Sequence, residues 1–215
     1  MQFDSKNKWY TGLISAPGVS SYLVGRNGSV ENLLATPPLH ATARVRMEQV
    51  HGAGVAVVDQ RTTALETTIP AVDAVLTQLP GITLEVRVAD CLPILLWHPL
   101  GVIGAVHAGR RGTQAGVLKQ TLQRLSELVG NLDGLKVWLG PAICQAHYQI
   151  DKEQDLHYDL LGENLKQLAE LTSGQQIEVS NTTLCTVCNN DQFYSYRKEA
   201  TESRNYAFLL NHARE

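Results

Sequence analysis

The chain predicts an α+β fold in which a block of short strands comes before the main helices. Two features of the text carry this. Between residues 43 and 107 it breaks into short β-branched runs, many of them separated by Gly and Pro, and after 107 the apolar residues change to helical spacing. No period recurs along the 215 residues and no low-complexity tract appears, which sets aside a solenoid or a propeller. No linker-like stretch or composition break divides the chain, so one domain spanning 1–215 is expected.

Taken in order, the first 35 residues carry no clear pattern. Strands are expected over 44–50, 55–59, 73–77, 82–89, 93–97 and 102–107. Within 82–88, Ile82, Leu84, Val86 and Val88 alternate with Thr83, Glu85 and Arg87, the pattern of a strand with one buried face. The run 92–97 is apolar throughout, as a strand buried on both faces would be. Over 113–129, Val117, Leu118, Leu122, Leu125 and Leu128 recur at helical spacing, and Gly130 is a natural stop. A second helix is expected over about 153–171, with Leu160, Leu161, Leu165 and Leu168 on one face. Further strands are expected at 137–139, 177–179 and 206–209.

The composition narrows the class of function. With 44% hydrophobic and 18% charged residues the chain can bury a core without disulfide staples. A net charge of -3 with both signs interspersed gives no electrostatic footprint for nucleic acid or an anionic membrane. No apolar run approaches a membrane span, and residues 1–9 lack the apolar core of a secretory signal, so a cytoplasmic location is expected. Cysteines 91, 144, 185 and 188 are too few and too unevenly placed for a secreted disulfide framework and are expected to be reduced. Nothing in the text implies a protein partner.

Three segments put metal-ligating side chains at strand ends: QVHG at 49–52, ADCLP at 89–93 and VHAG at 106–109. The two imidazoles of His51 and His107 and the thiolate of Cys91 suit Zn²⁺. Three protein ligands leave a fourth position open, which is the catalytic pattern. The plainer reading makes the histidines turn residues beside glycine and the cysteine a small buried hydrophobe, because separations of 40 (51 to 91) and 16 (91 to 107) residues form no compact zinc signature. In HAGRRGT, Arg110, Arg111 and the backbone at Gly112 stand between a strand and a helix start, where an anion such as phosphate is favoured. The segment lacks the Lys-Ser/Thr ending of a P-loop, and solvent-facing arginines are the alternative. Cys185-Thr-Val-Cys188 reads as half of a zinc site or a redox pair, but no second CxxC exists, which favours ordinary reduced thiols. His40, His98, His147, His157 and His212 have no spacing that singles them out.

Several motifs occur together: QVHG at 49–52, VDAVLT at 72–77, ADCLPILL at 89–96, AVHAGRRG at 105–112, LGPAI at 139–143 and LCTVCNNDQFYSYRK at 184–198. In order and approximate separation they resemble the polyphenol-oxidase or laccase-domain family of zinc-dependent purine nucleoside phosphorylases, which includes a protein named as a peptidoglycan editing factor. The resemblance covers about residues 43–210. It implies a single-domain α/β/β/α layered sandwich with mixed sheets, zinc on His51, Cys91 and His107, and a pocket for a purine nucleoside and phosphate. The activities it implies are phosphorolysis of adenosine, inosine, guanosine and methylthioadenosine to free base and ribose 1-phosphate, with adenosine deamination beside it. The oxidase name implies copper, but two histidines and a cysteine do not specify copper over zinc.

On this reading phosphate is held near the zinc and Arg111, while Asp73 and Asp90 transfer protons or orient a ligand histidine, the equal alternative for both being a turn residue or a helix cap. The chain departs from the family in four places, one of them a shortened region between Tyr148 and the following helix. The opening Thr-Arg-x-Gly-Gly-Val-Ser is reduced to Ala16-Pro17-Gly18-Val19-Ser20, the Trp of HAGWRG is Arg110, and the Gly-Pro-Cys-Cys-Tyr after GPAI reads Cys144-Gln145-Ala146-His147-Tyr148. Two other readings stand beside it: a metal-independent hydrolase or amidase acting on peptidoglycan precursors, with Cys91 as nucleophile and His107 as base, and a nucleoside-binding homologue without turnover.

Overall fold

Two mixed sheets lie face to face between helices, in a computed structural model that describes residues 1–60 and 64–212. In chain order its elements are β1 (Gln2–Asp4), β2 (Trp9–Thr11), β3 (Val19–Val24), α1 (Val30–Leu34), β4 (Ala43–Met47), β5 (Val55–Val58), β6 (Glu66–Ile69), β7 (Ala74–Thr77), β8 (Ile82–Val88), β9 (Leu92–Trp97) and β10 (Ile103–Ala108). They continue with α2 (Arg110–Gln114), α3 (Val117–Val129), β11 (Lys136–Leu139), β12 (Gln149–Asp151), β13 (Leu156–His157), α4 (Leu160–Leu171), β14 (Glu178–Asn181), α5 (Tyr196–Glu199) and β15 (Asn205–Asn211). One sheet runs β1-β2-β3-β15-β8-β4-β6 and the other β14-β11-β9-β10-β7-β5.

The period-2 alternation of the strands sorts their side chains into layers. Leu23, Val45, Leu84, Val86, Ala207 and Leu209 of the first sheet meet Val75, Leu95, Ile103 and Ala105 of the second. The opposite face of the second sheet, with Ile94, Leu96 and Val106, packs on Val117, Leu118, Leu122 and Leu125 of α3 and Leu160 and Leu168 of α4. The outer face of the first sheet packs Val24, Phe208 and Leu210 against Leu33 of α1. This is the expected α+β class, and β9 is buried at all six positions, as its uninterrupted apolar text predicts.

Several elements differ from expectation for local reasons. The expected helix over 113–129 is two, because Gly116 takes φ +78° between α2 and α3. The second helix begins at Leu160, not near 153: the Asp151 carboxylate accepts from the amides of Glu153 and Gln154, Asp155 takes φ +49°, and β12 and β13 form a hairpin. The Asp159 carboxylate then caps α4 by accepting from the Gly162 amide. β8 is buried on both faces, since Thr83 and Glu85 lie under other residues and Glu85 is ion-paired with Arg44 at 3.0 Å. Burial pushes the Glu85 carboxyl above the usual carboxylate range, against the opposing pull of Arg44, Arg87 and Arg46. Among the described residues no helix is long and apolar enough to cross a membrane.

Candidate metal centre and active site

His51, Cys91 and His107 come from three separate strand ends, and the fold brings their donor atoms within 4.8 Å of one another. β4 stops at Met47, short of the expected 50, because Gln49 and His51 both take left-handed backbone, φ +62° and +60°. The Gln49 side chain continues the pairing by donating to the Arg87 carbonyl and accepting from its amide. Cys91 sits in the turn from β8 to β9, after Asp90 at φ +87°. His107 lies on β10, whose antiparallel pairing with β7 sets it beside Asp73.

Asp73 is fully buried and organises the group. Its Oδ1 accepts from the His51 amide at 2.9 Å and lies 2.7 Å from His107 Nδ1, and its Oδ2 accepts from the Gly52 amide at 2.7 Å. Burial alone would raise its carboxyl, but the contacts from His107, Gly52 and His51 outweigh it and hold the group below the usual range. A carboxylate can only accept, so Nδ1 carries the proton and Nε2 is the nitrogen free to bind a metal. Burial likewise opposes charge on Cys91 and His107. Hydrogen bonds from His107 and His51 nevertheless bring the Cys91 thiol down to about 6, and those to Asp73 and Cys91 bring His107 up to about 9.

The donors fit a zinc ion. A Cβ on Gly109 would stand 3.0 Å from Cys91 Sγ and 3.0 Å from His51 Cδ2, so the absence of a side chain keeps the space between these two side chains open.

The group opens into a cavity of about 630 Å³. Its lining carries three tyrosines, Tyr148, Tyr196 and Tyr206, and three arginines, Arg87, Arg197 and Arg204, beside Glu48, Asp90 and Glu202. Arg197 is anchored: its guanidinium donates to the carbonyls of His147 and Gln149, each at 3.0 Å, and lies 5.3 Å from the Tyr148 ring centroid. Asp90 is buried in the cavity wall, where Oδ1 accepts from the Thr186 hydroxyl and Oδ2 from the Arg197 amide, both at 2.6 Å.

The expected phosphate residues fall differently. Arg110 is half-buried with its charge near the Tyr148 hydroxyl, and it is not among the residues that line the cavity. Arg111 is exposed in the first turn of α2, and Gly112 is buried where a Cβ would meet the Gly52 carbonyl oxygen at 2.7 Å; neither belongs to the lining. Sequence reasoning gave no role to Arg87, Arg197 or Arg204, although Arg197 lies within the FYSYRK segment that carries part of the resemblance. Cys185 and Cys188 are not an isolated pair of thiols, because Cys144 and His147 complete a second group whose donor atoms lie within 4.8 Å.

The family model described as multi-copper polyphenol oxidoreductase laccase matches residues 27–156 and 151–211. The purine nucleoside phosphorylase ORF3 of Streptomyces griseus is 35% identical over 190 residues, covering 80% of this chain and 74% of its own. The purine nucleoside phosphorylase Cj1217c of Campylobacter jejuni is 30% identical over 174 residues, 74% of each chain. A protein named adenosine deaminase RL5, from an unknown prokaryotic organism, is 35% identical over 115 residues, 51% of this chain and 44% of its own. In fold the chain matches YlmD from Geobacillus stearothermophilus with a TM-score of 0.79 at 24% identity, over 92% of this chain and 94% of that one.

Proposed function

The chain belongs to the multi-copper polyphenol oxidoreductase laccase family, and from that premise we propose that it is a zinc-dependent purine nucleoside phosphorylase, with adenosine deamination as a second reaction of the same pocket. The observation that carries this reading is the junction of a three-ligand Cys/His group with a cavity that offers both tyrosine rings and arginines. A purine has flat faces that stack on aromatic rings, and phosphate takes charge-assisted hydrogen bonds from guanidinium groups.

In phosphorolysis a phosphate oxygen forms a bond to the ribose anomeric carbon while the bond from that carbon to the purine nitrogen breaks. The electron pair leaves with the base, which takes up a proton. The protein orients the two reactants and neutralises the anion. Arg197, Arg204 and Arg87 supply positive charge along the cavity wall, and Arg110 and the exposed Arg111 lie outside its lining. Glu48 and Glu202 are the lining carboxyls we assign to the proton of the leaving base. Asp73 and Asp90 are positioning residues, since hydrogen bonds already occupy both oxygens of each. Zinc on His51, Cys91 and His107 supplies Lewis-acid stabilisation of an oxygen ligand when bound.

Zinc is preferred to copper on the ligand count. An oxidase that uses several coppers needs further histidine-rich clusters, and among the described residues the other group of possible ligands is three cysteines and one histidine. The close pair Cys91 and His107 also matches a cysteine hydrolase, but that chemistry gives no task to His51. Removing metal with a chelator and restoring it with Zn²⁺ separates the two readings. Loss and recovery of nucleoside cleavage are expected, and full turnover by metal-free protein would establish the hydrolase instead.

A further inference from the structure

A second Cys/His group lies in the loops behind the cavity wall. After β11 the chain passes through Ala142, which pairs in parallel with Cys185, and the Thr186 amide donates to the Ala142 carbonyl at 3.1 Å. This extends the parallel pairing of β11 with β14 and sets Cys144 against Cys185, 41 positions away in sequence. A 3-10 turn over Gln145–His147, closed by the His147 amide on the Cys144 carbonyl at 3.0 Å, folds the imidazole back over the sulfurs. His147 Nδ1 then lies 3.2 Å from Cys144 Sγ, 3.6 Å from Cys188 Sγ and 3.9 Å from Cys185 Sγ. Zinc–sulfur and zinc–nitrogen bonds of ordinary length at tetrahedral angles put nitrogen and sulfur about 3.6 Å apart. The three separations bracket that value, and all four donor atoms lie within 4.8 Å of one another.

The surroundings of Cys185 have the character of a thiolate site. The Cys144 amide donates to its sulfur at 3.3 Å. A neutral thiol is a weak acceptor, whereas a metal-bound thiolate is suited to N–H donors. None of the four cysteines is in a disulfide.

We propose that Cys144, His147, Cys185 and Cys188 bind a second zinc ion, in a closed four-ligand site that is structural and separate from the His51, Cys91 and His107 centre. Three thiolates and an imidazole suit zinc and disfavour the oxygen-seeking cations, and four protein ligands leave no position for substrate. The ion fastens residues 144–147 to residues 185–188. Between them these segments support Tyr148, next to His147, and Arg197, whose guanidinium donates to the His147 carbonyl.

The test is elemental analysis of the full chain after Zn²⁺ loading and removal of loose metal, on wild type, Cys91→Ser and a Cys185→Ser/Cys188→Ser double variant. Two zinc ions per chain are expected in wild type and one in each variant. Loading with Co²⁺ gives a second readout, because thiolate-to-cobalt charge-transfer absorption scales with the thiolates bound. Most of that band is expected to disappear in the double variant and most to survive in Cys91→Ser. If the double variant does not fold, wild-type stoichiometry and the wild-type cobalt band decide the matter. One zinc per chain in wild type that Cys91→Ser loses, or a zinc content unchanged in a folded double variant, overturns the proposal. So does a mass two hydrogens short that shows a disulfide among these cysteines. A wild-type total of one zinc that Cys91→Ser retains in full would instead count against the first centre.

Discussion

The carboxylate of Asp90 accepts a 2.6 Å hydrogen bond from the hydroxyl of Thr186, 96 residues further along the chain. Asp90 precedes Cys91 and Thr186 follows Cys185, so this one contact joins the two Cys/His groups through a shared wall. The second oxygen of Asp90 holds the amide of Arg197, and the Asp90 carbonyl accepts from the Ile143 amide at 2.9 Å.

Replacing Asp90 by Asn keeps the side-chain shape and tolerates the left-handed backbone found there, φ +87°. It removes one charge-assisted acceptor, because an amide nitrogen must face either a hydroxyl or a backbone N–H. The expected cost is about 1.5–3 kcal/mol of stability by urea denaturation, with zinc content unchanged. A variant as stable as wild type would mean that the carboxylate does not hold this wall together.

Gly109 isolates the geometry of the first centre. Its φ of -86° suits alanine, so Gly109→Ala adds a methyl group without backbone strain. That methyl stands 3.0 Å from both Cys91 Sγ and His51 Cδ2. The expected result is a folded protein whose zinc affinity at this centre falls by at least tenfold, measured by competition with a chromogenic chelator. Unchanged affinity would show that the metal does not occupy the space this glycine keeps open.

The two arginine classes should separate in kinetics. Arg197→Ala removes an anchored guanidinium from the cavity wall and is expected to raise the phosphate KM roughly ten- to hundred-fold, the equivalent of about 1.5–3 kcal/mol. Its effect on the nucleoside KM should be smaller. Arg111→Ala is expected to change neither by more than about twofold, since an exposed side chain outside the lining acts only through screened charge. Equal effects of the two substitutions would return the phosphate site to the start of α2.

Much of this was readable from the sequence where one physical cause dominates. β9 and β10 lie between a sheet and helices, so burial on both faces writes an unbroken apolar run. The strand-end candidates His51, Cys91 and His107, whose donor atoms the fold brings within 4.8 Å of one another, stand inside motifs with a family resemblance. The short β1, β2 and β3 carry too few residues to show a period, and they gain their place by pairing outward from β15 at the far end of the chain. The break at Gly116 and the β12–β13 hairpin are decided by single residues inside otherwise helical text. The partners of Cys185 and Cys188 were out of reach for a different reason. Cys144 and His147 meet them only because β11 and β14 pair in parallel, and no local spacing encodes that pairing. Arg197 and Asp90 are likewise 107 positions apart in sequence.

The central claim is that the cavity beside His51, Cys91 and His107 transfers ribose to phosphate. The direct measurement is the product balance when zinc-loaded protein is incubated with inosine, followed by phosphorus NMR and chromatography with and without inorganic phosphate. Equal amounts of hypoxanthine and ribose 1-phosphate are expected with phosphate present, and no cleavage without it. Hypoxanthine and free ribose formed without phosphate, or no turnover at all, would contradict the account.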